Sequence, residues 1–258
     1  METSCQLKRA RVSPGLVHLS TSQTPPPGLN RAALKSAIAL DTAKARLTRM
    51  KRGLITGARL HQQAVSRAPL RHYCVMVTLT YAPEVEYSPK HISRFLDATR
   101  KHLKRRGVKL RCAWAAELTK KGKLHYHVLI WLPTRLRLPK PDRAGWWTYG
   151  MTRIEKARNA VGYLAKYASK GPGSGELPRG CRIYAVSGLC SRDAQEKRYW
   201  LSPKWVRDVC DISDDPARIP GGGFVLRSTG EYLRSPWLVV SIEGILSIVK
   251  VTYDPTEH

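Results

Sequence analysis

Two histidines, His125 and His127, lie within Lys123-Leu-His-Tyr-His-Val-Leu-Ile-Trp131, a run that alternates in character. Alternation is the period of a β-strand. Leu124, Tyr126, Val128 and Ile130 therefore fall on one side, and the two imidazoles fall side by side on the other. Paired imidazoles on one strand face can converge on one metal ion. The segment 108–117 also alternates and ends in Glu117, and Lys120-Lys121-Gly122-Lys123 reads as the turn joining it to the histidine strand. Such a hairpin brings the Glu117 carboxylate near the pair. The result is a two-histidine, one-carboxylate donor set suited to a hard or borderline divalent cation. The competing reading is a histidine-bearing strand buried under a helix.

A second group lies further along, in Val161-Gly-Tyr163-Leu-Ala-Lys166-Tyr167-Ala-Ser-Lys170. Tyr163 and Tyr167 are four apart, so on a helix both phenols share a face one turn from each other, with Lys166 and Lys170 on the adjacent face. Alone, this pattern fits two tyrosines anchoring a helix on a sheet, with lysines in solvent. Packed over a sheet that carries His125, His127 and Glu117, it acquires a chemical reading: two hydroxyl nucleophiles beside a cation site.

The elements that must position these groups follow from composition and periodicity. Lys plus Arg number 45 against 19 Asp plus Glu, a formal charge of +26 over 258 residues. A charge that far from zero implies a polyanionic partner, nucleic acid first and an anionic membrane surface second. The apolar fraction of 42% suffices for a sizeable core in one main domain with appendages. The six cysteines (Cys5, Cys74, Cys112, Cys181, Cys190, Cys210) form no C-x-x-C pair, which suits reduced thiols in a cytosolic protein. The opening Met-Glu-Thr-Ser-Cys lacks a secretory core, and the apolar run from Trp237 to Val249 is interrupted by Glu243 and too short to span a bilayer. A soluble, intracellular protein without membrane contact is expected.

In chain order, residues 1–30 are rich in Pro, Ser and Thr and read as a disordered tail. Residues 31–68 read as a basic helical arm. Ala33, Ala37, Leu40, Leu47, Met50 and Leu54 recur at helical spacing, Arg46, Arg49 and Arg52 lie on its polar side, and Gly53 and Gly57 end or break it. That face either lies along DNA phosphates or is simply solvated. Residues 69–190 form the main domain: a strand at 73–81, a helix opened by Ser88-Pro89 and closed by Gly107, the two hairpin strands, a helix over 154–170, and a strand at 182–187. The order β-α-β-β-α-β is the split βαβ, ferredoxin-like or RRM-like arrangement. It predicts an α+β fold, a four-stranded antiparallel sheet with both helices on one face. Residues 191–258 read as an accessory region with a helix near 203–209 and apolar stretches at 236–242 and 245–253.

With these motifs in place, the chain resembles the HUH endonucleases, and among them the two-tyrosine rolling-circle replication initiators of single-stranded DNA phages and prophages. Three motifs occur in that family's order. Val77-Thr-Leu-Thr-Tyr81 resembles the first, His125-Tyr126-His127 matches the second with tyrosine as the middle residue, and Tyr163, Lys166, Tyr167 and Lys170 match the third. The resemblance covers about 73–187. It implies the HUH endonuclease fold and metal-dependent, sequence-specific nicking and rejoining of single-stranded origin DNA. Mg²⁺ or Mn²⁺ would be held by His125, His127 and Glu117. Tyr163 or Tyr167 would attack to give a 5′-phosphotyrosine bond and a free 3′-hydroxyl, with Lys166 and Lys170 near the phosphate. It further implies a host helicase and DNA polymerase as partners in a bacterial host's cytoplasm, since no G-x-x-x-x-G-K-[ST] loop occurs. Lys120, Lys121 and Lys123 are expected to hold the strand's backbone. Trp146, Trp147 and Tyr149 either stack on unpaired bases or pack in the core.

Two rival readings remain open from sequence. One is a related relaxase or tyrosine transposase. Relaxases usually place the tyrosine before the histidine motif, and the transposases usually use one tyrosine. The other is a non-catalytic RRM-like nucleic-acid-binding protein.

Overall fold

The computed structural model describes residues 17–19, 34–119, 122–170, 177–220, 222–242 and 244–251, with backbone alone at 17–19 and 166–170. In chain order the elements are β1 (Val17–Leu19), β2 (Ile38–Ala39), α1 (Thr42–Ser66), β3 (His72–Thr80), α2 (Pro89–Lys104), β4 (Arg111–Leu118), β5 (Leu124–Pro133), β6 (Thr152–Lys156), α3 (Ala160–Lys170), β7 (Tyr184–Ser187), α4 (Ser191–Leu201), α5 (Lys204–Arg207), β8 (Pro216–Arg218), β9 (Phe224–Leu226), β10 (Tyr232–Leu233), β11 (Trp237–Ile242) and β12 (Ile245–Lys250). They fall into two compact units, one spanning Ala43–Leu201 and one combining Met1–Thr42 with Ser202–His258.

The first unit is α+β and is built on a five-stranded sheet of order β6-β3-β5-β4-β7, antiparallel at every pairing. The central strand β5 explains the layering. Its even residues Tyr126, Val128 and Ile130 are fully buried, and so are Leu129 and Trp131 on the histidine side. A strand apolar on both faces must be covered on both. Ile92, Phe95, Leu96 and Leu103 of α2 pack on the even side with Val77, Trp114 and Tyr126. Met50, Leu54, Ala58 and Val65 of α1, with Ala160 and Leu164 of α3, pack on the other side against Ala113, Ala115, Leu129 and Trp131. The expectation that both core helices share one face is therefore overturned. Leu129 and Trp131 continue the His125–His127 side as apolar surface, and α1 and α3 cover it.

The fifth strand is the second departure. Residues 154–156 read from sequence as the start of a helix, but Thr152–Lys156 pairs with β3 at the sheet edge, and the helix begins at Ala160. Asn159 caps that helix, its Oδ1 accepting from the Gly162 N–H at 2.8 Å. The α2 start follows its sequence signal: Ser88 Oγ accepts from the Lys90 N–H, and Pro89 opens the helix.

Gly53 and Gly57 do not end α1, which runs on to Ser66. They let it approach the sheet. A Cβ on Gly57 would lie 2.6 Å from a Val186 methyl, and one on Gly53 would lie 2.8 Å from the Tyr184 ring. The helix begins at Thr42, not near residue 31, because Ile38 and Ala39 pair with β12 as a strand. The helix groups with the central sheet in one unit, where the sequence reading set 31–68 apart. Val17–Leu19, inside the expected disordered tail, is a strand parallel to β11. The rest of 1–30 lies outside the described residues.

In the second unit, the two apolar stretches form the hairpin of β11 and β12 within a four-stranded sheet of order β1-β11-β12-β2, beside a three-stranded sheet of β8, β9 and β10. Val240, Val249 and Val251 form its buried centre.

Candidate active site

The register of the first sheet sets two rows of side chains on the face beneath α3. Antiparallel partners share a face, with Cβ atoms about 4.5–5.5 Å apart. One row runs Arg153, Thr78, His127, Ala115, Tyr184. The next runs Thr80, His125, Glu117. The short turn between β4 and β5 fixes this register. Thr119 N–H donates to the Lys123 carbonyl at 2.9 Å, the Lys123 N–H donates to Thr119 Oγ1 at 3.1 Å, and Gly122 takes the positive φ of 73° that the tight turn requires.

His127 is buried and gripped at both ring nitrogens. Nε2 lies 2.8 Å from Glu117 Oε2, and Nδ1 lies 3.3 Å from Thr78 Oγ1. A neutral imidazole satisfies both contacts when Nε2–H donates to the carboxylate and Nδ1 accepts from the hydroxyl. The His125 ring sits 6.4 Å from that of His127, centroid to centroid, inclined at 62°. Burial is the main cause that lowers the His125 pKa. Lys123 lowers it too, and the Glu117 carboxylate opposes both. The net direction keeps His125 neutral near pH 7, the state in which imidazole can ligate a metal.

Among the described residues, no group of three His, Cys, Asp or Glu side chains is arranged to hold a metal ion as it stands. The donor chemistry nevertheless fits a divalent cation. Two imidazoles and a carboxylate occupy adjacent register positions on one face, and the His127–Glu117 contact ties up the atoms that ligation would use.

α3 lies on this same face. Ala160 and Leu164 are buried against the sheet with Ala113, Ala115 and Leu129, and Tyr163 packs half-buried at that contact. The backbone of Lys166, Tyr167 and Lys170 continues the helix, and their side chains lie outside the described set. Tyr163 and the histidine row are thus brought to one side of the sheet. Lys120 and Lys121 lie outside the described residues, and the Lys123 side chain is exposed. On α1, Arg46 and Arg49 are exposed. Arg52 donates to the Trp200 carbonyl at 2.8 Å, and Arg59 pairs with Glu196 at 3.1 Å, tying α1 to α4.

The aromatic segment divides by burial. Trp147 is fully buried and donates its indole N–H to the Thr80 carbonyl at 3.1 Å, so it belongs to the core. Trp146 meets His102 edge-on, and Tyr149 stacks on His91 at 3.6 Å. Tyr126, between the two histidines, points to the opposite face, where burial raises its pKa far above the ordinary phenol value and removes it as a nucleophile. Sequence reading does not single out Thr78 and Arg153. Their signal is the alternation of Val77-Thr-Leu-Thr-Tyr81 and of Thr152–Lys156, read together with a register that only the folded sheet supplies.

Residues 74–172 match the family model of replication-associated protein ORF2. The match fits a phage rolling-circle replication initiator of the HUH type and makes the chain a replication-associated protein. No curated protein matches the chain, and no solved structure matches it. No helix among the described residues is long and apolar enough to cross a membrane.

Proposed function

We propose that this replication-associated protein initiates rolling-circle DNA replication by metal-dependent, sequence-specific nicking and rejoining of single-stranded origin DNA through a 5′-phosphotyrosine intermediate. The observation that carries the reading is the shared face: the helix bearing Tyr163 and Tyr167 covers the side of the sheet on which His125, His127 and Glu117 stand. The RRM-like alternative needs an open sheet face with stacking aromatics. Here α2 covers one face and α1 with α3 the other.

His125, His127 and Glu117 would hold Mg²⁺ or Mn²⁺, which when bound supplies charge neutralisation at the scissile phosphate. The chain's own residues do the rest. A phenol oxygen of Tyr163 or Tyr167 attacks phosphorus and loses its proton to solvent. The bond from phosphorus to the 3′-oxygen breaks, and that oxygen takes up a proton and leaves as a hydroxyl. Lys166 and Lys170 stand one helical turn apart beside the tyrosines, where an ammonium can balance phosphate charge. The new phosphotyrosine keeps the phosphodiester's free energy, so rejoining is the same displacement reversed. A host polymerase then extends the 3′-hydroxyl, and a host helicase opens the duplex, in the host cytoplasm.

The test is a denaturing gel that detects protein covalently joined to a 3′-labelled origin oligonucleotide. The adduct should need Mg²⁺ or Mn²⁺ and vanish with chelator, and it should be lost in His125→Ala and His127→Ala, which retain DNA binding. Tyr163→Phe and Tyr167→Phe should each keep some single-turnover nicking, and the double variant none. An undiminished adduct in chelator overturns the metal assignment. Adduct formation at one tyrosine alone overturns the alternating scheme.

A further inference from the structure

A second feature of the first unit lies away from the histidine face. Between α2 and the edge strand β7 run two adjoining cavities of about 490 and 390 Å³. Arg100 and Ser187 line both, so the two form one continuous groove. Four cations border it: Arg100 and Lys104 from α2, Lys109 from the following loop, and Arg182 before β7. Its single acid is Asp97, which is already ion-paired with Arg100. Lys104 and Arg182 present exposed side chains. The floor is apolar, with Val108 and Leu110 at one end and the half-buried Tyr87 ring at the other. The sequence continues the charge past the groove's end, where Lys101, Lys104, Arg105, Arg106 and Lys109 crowd one helix terminus and its loop.

The groove is separate from the candidate active site. It opens on the sheet face packed by α2, and Leu110 stands just before the start of β4, whereas Glu117 stands near its end. Along a strand at about 3.4 Å per residue, that places the Leu110 end roughly 20 Å from the Glu117 row.

We propose that this groove is a second binding site for single-stranded DNA, holding a stretch of the strand remote from the cleaved phosphate. An apolar floor between rows of cations suits unpaired bases with their phosphates outward, and an aromatic ring at one end offers a stacking surface. A duplex would keep its bases from the floor, and a peptide strand on the free edge of β7 would have no use for four cations. The choice of DNA rests on the replication reading above.

The experiment separates the two. Lys104→Glu/Arg182→Glu is compared with the unmodified protein in two measurements. The first is fluorescence anisotropy of a 30-nucleotide oligo-dT against salt. The affinity should fall roughly tenfold, and the slope of log affinity against log salt should flatten by about 1.4, two phosphate contacts at the single-strand value. The second is single-turnover cleavage of a short origin oligonucleotide spanning only the nick, which should proceed at the unmodified rate. Unchanged anisotropy and slope overturn the groove. An equal loss in short-oligonucleotide cleavage overturns its separateness from the active site. If the unmodified protein cleaves nothing, the proposed nicking function falls, and the anisotropy result still decides the groove.

Discussion

Thr78 illustrates what a single residue contributes here. Its hydroxyl meets His127 Nδ1 at 3.3 Å, across 49 residues of chain, and so opposes Glu117 at the other ring nitrogen. Such partners fix the tautomer and orientation of a ligating imidazole, and their loss typically costs about 10–100-fold in metal affinity or activity. Thr78→Val keeps the shape and removes the hydroxyl. It should raise the Mn²⁺ concentration at half-maximal nicking by about tenfold, and Thr78→Ser should restore it. A Thr78→Val protein with an unshifted metal midpoint would reduce Thr78 to packing. The spacing of His125, His127 and Glu117 was legible because a hairpin is local. Thr78 was not, because its partner is set by the long-range pairing of β3 with β5.

At the scale of elements, the glycines of α1 show a rule overridden by packing. Glycine inside a helix costs about 1 kcal/mol relative to alanine, and that cost is the reason it reads as a breaker. Here the missing side chain admits Val186, so Gly57→Ala should destabilise the protein despite its better helix propensity, by about 1–3 kcal/mol for an overpacked core. Adding Val186→Ala should recover most of that loss, which a double-mutant cycle in urea would measure. If Gly57→Ala is instead stabilising, the close approach of α1 to β7 is wrong. The edge strand β6 escaped the sequence reading for a related reason. Thr-Arg-Ile-Glu-Lys carries one apolar residue and three charges, the composition that keeps an edge from pairing with other chains, and Ile154 alone fits helix and strand equally.

His61, on the same helix, is fully buried against Trp131 at 4.8 Å, and its pKa is pushed down to about 4 from 6.5, chiefly by burial and then by Arg111, with Asp193 opposing. The unfolded chain therefore takes the proton first. The stability that neutral His61 contributes is complete above pH 6.5 and is lost as pH falls toward 4, by about 3 kcal/mol at the full shift. Urea unfolding at pH 7 and at pH 4.5 should show His61→Phe losing less stability on acidification than the unmodified protein. Equal losses would mean that His61 is protonated without penalty.

For the whole molecule, charge is the property that sequence states most directly. It gives +26 and hence a polyanionic partner, but it cannot say which cations face that partner. Folding sorts them. On α1 the inward residues Met50, Leu54, Ala58 and Leu60 join the core, Arg52 and Arg59 are engaged by α4, and Arg46 and Arg49 remain on the exposed side. Deleting the helix would therefore remove part of the core along with the charges, and it cannot serve as a test of DNA contact. Arg46→Glu/Arg49→Glu changes only exposed side chains. If those two arginines touch phosphates, the slope of log affinity against log salt for single-stranded DNA should fall by about 1.4, counting two contacts, while the circular dichroism and the urea midpoint stay put. An unchanged salt slope would assign the outer face of α1 to solvent and leave DNA binding to the cations around the sheet.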